Sequence, residues 1–257
     1  MKMSGNTILI TGGASGIGFA LAEELAKLDN QVIIAGRSAE KLEFAAKKGF
    51  KTYSVDMTNA ESIQSLAKSA IQDYPRLNVV IQNAGIMKIE NLLSGEYSQI
   101  KEETVATNFL GPLLLTDALL PHFLKQSSAT IITVTSGLAF IPLAMAPTYC
   151  ATKAALHSYT ESLRYQLKDT PVAVVELPPP YVQTHLGGDY QANDPHAMPL
   201  KEFISEVMQI LNNQPQATEV LVQRVQELRF AAYRGSEKYD LQFKKYNDFM
   251  TESRKQK

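Results

Sequence analysis

An alternation of short, apolar, β-rich runs with helical periodicities constrains this chain most. "TILIT" (7–11) and "QVIIAG" (31–36) read as buried strands, and Phe19 to Leu28 between them has the spacing of an amphipathic helix. Further strands are expected at "TYSV" (52–55), "LNVVIQ" (77–82), "ATIITVTS" (129–136) and "PVAVVELP" (171–178). Helical patterns separate them at 38–48, 59–73, roughly 96–124 and 148–168. Such alternation predicts an α/β fold with a parallel sheet and helices on both faces. At 257 residues a single domain is expected, without internal repeats or low-complexity segments.

After Pro178 the pattern loosens. Residues 185–200 are rich in Gly, Pro and Asn and read as a mobile loop. A helix is expected at 200–212, whereas 219–223 fits a last strand and a continuing helix equally. The polar tail beyond Tyr233 reads as a helix with a frayed end. A small helical C-terminal extension on the domain is the result.

Composition removes several function classes. A net charge of −1 and a pI near 6.4 advertise no basic face for nucleic acid or an anionic membrane. Cys150 is the single cysteine, so neither an internal disulfide nor a cysteine metal site is available, and a reducing compartment fits. His157, His185 and His196 lack metal-ligand spacing, so no metal is expected. The N-terminal apolar run is too short for a signal peptide, and "NFLGPLLLTDALLPHFL" is too short and too polar to span a bilayer. A cytoplasmic protein is expected.

The first strand leads directly to Gly12, Gly16 and Gly18 at the opening of a helix. Glycines there let the chain turn tightly and approach a pyrophosphate, whose charge the first helical N–H groups and the helix dipole can hold. The pattern points to a Rossmann-type doubly wound sheet that binds a dinucleotide. An NAD-preferring site carries an acid at the end of the second strand, but Gly36 stands there and Arg37 follows. A guanidinium can bind a 2′-phosphate bidentately, so NADP(H) is the expected cofactor.

These residues, with those downstream, resemble the short-chain dehydrogenases/reductases of the compact single-domain type. The likeness runs from about residue 5 to about residue 185, leaving 185–257 as substrate loop and C-terminal extension. "TGGASGIG" resembles the family's glycine motif, "DMT" (56–58) its adenine-contacting turn and "QNAG" (82–85) its Asn-Asn-Ala-Gly. Asn108, Ser136, Tyr149 and Lys153 fall where its catalytic tetrad lies. The resemblance implies that Gly12, Ser15, Gly16, Ile17, Gly18, Arg37, Asp56, Met57, Asn83, Ala84 and Gly85 hold the nucleotide. It also implies that Tyr149, Lys153, Pro179, Val182 and Thr184 meet its nicotinamide end. Assembly as a homodimer or homotetramer through the helices near 96–124 and 148–168 is a further implication.

The chemistry can also be argued from the residues. Hydride transfer to a carbonyl needs an acid for the forming alkoxide, and the reverse needs a base. Free tyrosine, with a pKa of about 10, is a poor base at neutral pH. Lys153, one helical turn beyond Tyr149, is expected to favour the phenolate. The resemblance implies that Ser136 holds the substrate oxygen and that Asn108 anchors a water that relays protons from Lys153. Thr135 competes with Ser136, but strand alternation sends the two to opposite faces and spacing favours Ser136. Cys150 points about 100° away around the helix and reads as a buried filler. A second Tyr–Lys pair, Tyr97 and Lys101, reads as the start of a surface helix.

The sequence departs from the family pattern in places. Gln82 replaces an asparagine and Thr152 a serine. Pro179-Pro180 stand where Pro-Gly is usual, which predicts a stiffer loop and a differently shaped pocket floor. The triple proline of "LPPPYVQT" resembles a bacterial branch that includes the oxidoreductase named for the D-alanylation (teichoic acid) operon. Residues 138–147 and 185–200 are expected to line an apolar substrate pocket. The leading expectation is an NADP(H)-dependent oxidoreductase acting on a carbonyl/alcohol pair. A non-catalytic NADP(H) sensor of the same fold is the rival. A sugar-nucleotide epimerase or dehydratase fits less well, because about 70 residues after the core leave little room for a substrate domain.

Overall fold

β-Branched and aliphatic runs become six parallel strands in the order β3-β2-β1-β4-β5-β6. These are β1 (Thr7–Thr11), β2 (Gln31–Gly36), β3 (Lys51–Ser54), β4 (Leu77–Gln82), β5 (Ala129–Val134) and β6 (Val172–Leu177). The computed structural model describes residues 1–94 and 99–255. The Tyr97–Lys101 pair therefore lies partly outside the described residues, at Tyr97.

Alternation along each strand feeds two cores. Ile8, Ile10, Val32, Ile34, Val79 and Ile81 pack toward α1 (Gly16–Ala26) on one face. Leu9, Ile33, Ala35, Val80 and Ile131 pack on the other, with α3 (Ala60–Asp73) and α5 (Gly111–Phe123). Burying one such aliphatic side chain is worth roughly 1.5–3 kcal/mol, so both faces must be covered for the sheet to persist. Side chains start two of the helices. Ser38 Oγ accepts from Lys41 N at the head of α2 (Ala39–Lys47), and Asn59 Oδ1 accepts from Ser62 N at the head of α3.

The long helix expected near 96–124 is interrupted. It comprises α4 (Gln99–Val105), a π-helical turn at Ala106–Leu110, and α5. Such bulges gather at functional sites, and Asn108 sits in this one. The helix expected at 148–168 is α6 (Pro147–Gln166), with proline at its first position.

Residues 185–200 are a folded segment rather than the open loop the sequence predicts. It holds a 3₁₀ turn at His185–Gly187, a short α7 (Asp189–Ala192) and a bridge between Val182 and Met198. Buried polar groups organise it: Gln191 Nε2 donates to Val182 O at 2.8 Å, and Asp194 accepts from the Tyr181 hydroxyl at 3.1 Å. The helix α8 (Leu200–Asn213) follows as expected. The ambiguous stretch at 219–223 is neither element in full. Glu219 bridges Glu176 of β6, and α9 begins at Gln223 and ends at Arg229. The tail is α10 (Ser236–Lys255). It is more than a frayed end, because Met250 is buried in an apolar cluster with Tyr149 and Leu143. Among the described residues, no helix is long and apolar enough to cross a membrane.

Candidate active site

A cleft of about 480 Å³ opens at the carboxyl ends of β1, β4, β5 and β6, where the strand order reverses. Gly12, Ser15, Gly16 and Ile17 line one end of it. Gly12 has φ +63°, and a β-carbon there would stand 2.8 Å from Ala84 Cα. Gly18 lies behind the lining: a β-carbon on it would meet Asn83 Nδ2 at 2.4 Å. Ser15, at the N-cap of α1, makes no side-chain cap bond, and no acid stands in that helix's first turn. The helix thus presents its first N–H groups and positive dipole end to the cleft, a setting suited to an anion.

Asn83, Ala84 and Gly85 form the wall after β4. Asn83 Nδ2 donates to the carbonyls of Thr11 and Gly12, each at 3.1 Å, and so joins this loop to the glycine turn. Gln82 is turned away and buried, donating to Pro112 O at 2.9 Å and Thr116 Oγ1 at 2.8 Å.

At the other end stand Ser136, Tyr149 and Lys153, all buried and all lining the cleft. Ser136 follows β5, and its Oγ accepts from Leu138 N at 3.1 Å. Thr135 points the other way, as alternation requires, and donates to Glu176 Oε1 at 2.6 Å. Lys153 Nζ donates to Val134 O at 2.8 Å and lies 5.7 Å from the Tyr149 ring centre.

The electrostatics differ from the expectation that Lys153 draws the phenol toward neutrality. Burial holds the Tyr149 hydroxyl well above its usual range, and the nearby Ser136 side chain opposes this. Burial also pulls the Lys153 ammonium down to about 8. The lysine charge is itself desolvated, which is why it does not dominate its neighbour.

Asn108 is fully buried and does not line the cleft. Its Oδ1 accepts from Ile86 N and its Nδ2 donates to Ile86 O, each at 2.9 Å, with a further bond to Thr152 Oγ1 at 3.2 Å. Both amide hydrogens are spent on protein, so the side chain braces the Gly85–Ile86 wall. Thr152 donates in turn to Tyr149 O at 2.7 Å.

Besides Gly18, three expected nucleotide contacts stand away from the lining. Arg37, 65% exposed in its side chain, pairs with Glu103 at 3.0 Å at the end of β2. Asp56 accepts from Thr58 N and Oγ1, bonds that hold its carboxyl below the ordinary value. Met57 is buried against Gly111. Pro179, Val182 and Thr184 do line the cleft, as does Pro180. Pro179 O accepts from Gly137 N at 2.8 Å, tying the loops after β5 and β6 together. A β-carbon on Gly137 would meet Leu228 Cδ1 at 2.7 Å, so α9 packs closely over this turn.

Sequence reasoning missed Lys41 at the glycine end and Leu228, Tyr246 and Met250 at the tyrosine end. Lys41 had a signal, its place one turn past Arg37. The other three lie in a stretch without a motif, and only chain folding brings them to the cleft. Leu138, Leu143 and Leu186 come from the two segments expected to line it.

A profile of the short chain dehydrogenase family matches residues 6–195. The chain belongs to the short-chain dehydrogenase/reductase family. This short-chain dehydrogenase/reductase is 40% identical over 253 residues to the uncharacterized oxidoreductase DltE of Bacillus subtilis, covering 96% of this chain and 98% of that one. An uncharacterized oxidoreductase of Staphylococcus aureus is 32% identical over 216 residues, 82% of this chain and 93% of that one. The chain is thus an oxidoreductase of the DltE-like type. Among solved structures, a short chain dehydrogenase from Burkholderia cenocepacia in complex with NADP aligns with TM-score 0.76 at 23% identity, over 90% of this chain and 94% of that one. One from Burkholderia phymatum in complex with NAD aligns with TM-score 0.77 at 19% identity, over 94% and 96%. Likeness at that identity establishes the fold.

Proposed function

We propose that this chain is an NADP(H)-dependent oxidoreductase that interconverts a carbonyl and an alcohol, with Tyr149 as proton donor and acceptor. The observation that carries the reading is that Ser136, Tyr149 and Lys153, all buried, line one cleft together with the glycine turn. The residues fit a dinucleotide: Gly12, Ser15, Gly16 and Ile17 line the cleft, and the head of α1 is left without a side-chain cap or a first-turn acid.

Gly12, Ser15, Gly16, Ile17 and Gly18 form the pyrophosphate cradle. Asp56 and Met57 lie toward the adenine, and Asn83, Ala84 and Gly85 line the middle of the cleft. Pro179, Val182 and Thr184 face the carboxamide end. Arg37 and the adjacent Lys41 supply positive charge for a 2′-phosphate. When bound, the nicotinamide supplies or accepts a hydride and, oxidised, places a positive charge beside Tyr149.

Ser136 orients the substrate oxygen and the phenol together. Tyr149 gives its proton to the forming alkoxide, or takes one in the reverse direction. Lys153, held on Val134 O, is the buried ammonium that returns the proton to the phenolate. Asn108 keeps the wall at Ile86 in place. Leu138, Leu143, Leu186 and Met250 support an uncharged, apolar carbonyl substrate.

Thermal unfolding with NADPH and with NADH at equal concentration tests the cofactor. Binding to the folded state stabilises by RT ln(1 + [L]/Kd), about 2.7 kcal/mol at a hundredfold excess over Kd. A larger shift with NADPH, lost in Arg37→Ala, is expected. Equal shifts with both nucleotides would remove the NADP(H) assignment, and no shift with either would remove the oxidoreductase mechanism.

A further inference from the structure

We propose that Glu176, His157 and Thr135 form a positioning network that keeps Ser136 in register with Tyr149. The proposal rests on the reading of Tyr149 and Ser136 given above and extends it to residues that do not touch the substrate.

Glu176 sits on β6 with no exposed surface. Its Oε1 accepts from the Thr135 hydroxyl at 2.6 Å, and its Oε2 lies 2.8 Å from His157 Nδ1. Its main chain is committed as well, N donating to Thr218 O at 2.9 Å and O accepting from Val220 N at 2.8 Å. Thr135 immediately precedes Ser136, and its own N–H donates to Leu177 O at 3.0 Å. His157 is on α6, one turn beyond Lys153 and two beyond Tyr149. A single carboxylate therefore spans the two elements that carry the proposed chemistry, the end of β5 and the helix α6.

A buried carboxylate is costly unless it is hydrogen-bonded and neutralised, and well-packed apolar residues would hold the fold equally well. Charge-assisted hydrogen bonds offer what packing does not, a short contact of fixed direction. Ser136, the next residue, lines the cleft with Tyr149 while Thr135 turns to Glu176, so freedom at Thr135 would pass directly into the alignment of Ser136 with Tyr149. The groups facing His157 are Glu176 from β6, Glu161 at 3.7 Å on its own helix, and Arg229 from α9, with the Phe140 ring edge-on at 4.9 Å. The two carboxylates favour the imidazolium that balances Glu176, and Arg229 opposes it.

The test needs no substrate. In the complex with NADP⁺, the ionisation of Tyr149 is read as the phenolate absorption of the wild type minus that of Tyr149→Phe across pH. Thr135→Val and Glu176→Gln are expected to move that ionisation upward by about one pH unit, a tenfold change in the ionisation constant. Thr135→Ser, which keeps the hydroxyl, should restore the wild-type midpoint. Unchanged midpoints in folded Thr135→Val and Glu176→Gln, whatever their melting temperatures, would overturn the network and leave the role of Tyr149 standing. If Glu176→Gln does not fold, Thr135→Val decides alone, since it loses one hydrogen bond and keeps its volume. A wild type without any Tyr149 titration would overturn the tyrosine reading and the network together.

Discussion

The side-chain nitrogen of Asn83 occupies the space that a β-carbon on Gly18 would need, 2.4 Å from it. That nitrogen also bonds the carbonyls of Thr11 and Gly12. The glycine turn and the loop after β4 are therefore interlocked. Gly18→Ala should force Asn83 aside and cost about 1–3 kcal/mol, as overpacking does. For a chain of this size that is roughly 2–4 °C of melting temperature per kcal/mol, readable by calorimetry. The NADPH-dependent shift should shrink too. A variant that melts with the wild type would mean that Asn83 moves freely.

Tyr149 fills a buried cluster with Leu143, Ala146 and Met250, so Tyr149→Phe keeps the packing and loses only the hydroxyl. Turnover in a screen of apolar aldehydes and ketones should fall by about 10²–10⁴-fold or more, the usual worth of a positioned acid or base. NADPH affinity, measured by its thermal shift, should barely change. Normal turnover by this variant would rule out Tyr149 as the proton donor.

Lys153 gives a pH dependence of defined sign. Burial lowers its ammonium to about 8, below the ordinary lysine value of about 10.4. Between these values the unfolded chain binds more protons, so stability rises with pH through that window. Below about 8 the penalty for the buried charge is present in full. Compared with Lys153→Met, the wild type should gain unfolding free energy from about pH 8 to about pH 10.5. Denaturant titrations at a few pH values check this, and a constant difference would mean that Lys153 keeps its ordinary titration in the fold.

Cys150 is buried, and burial raises its thiol to about 11. Its sulfur also accepts from Leu143 N at 3.2 Å. Alkylation by iodoacetamide near pH 8 should be negligible in the native protein and rapid once it unfolds, because the thiolate is the reacting form. Fast native labelling would argue for a redox role in place of packing.

Much of this was legible along the chain because the signals are local. The runs 7–11, 31–36 and 77–82 are strands with those limits, since β-branched residues in apolar blocks leave few alternatives. Gly12, Ser136, Tyr149 and Lys153 were identified by type and spacing, and they line one cleft. The segment 185–200 misled, because Gly, Pro and Asn suggest an open loop while the burial of Gln191 and Asp194 depends on partners the sequence does not announce. Asn108 was found, but its amide braces Ile86, a use that spacing cannot predict.

The sequence by itself determined the class of fold and the glycine and Tyr–Lys chemistry, since period, turn geometry and helical spacing act over a few residues. The tertiary structure alone decided that Glu176 joins Thr135 to His157, that Tyr246 and Met250 of α10 line the tyrosine end, and that burial pushes the Tyr149 hydroxyl upward. Those facts depend on distance and desolvation between residues far apart in the chain. Such quantities come into existence only once the sheet, the helices and the C-terminal extension have packed.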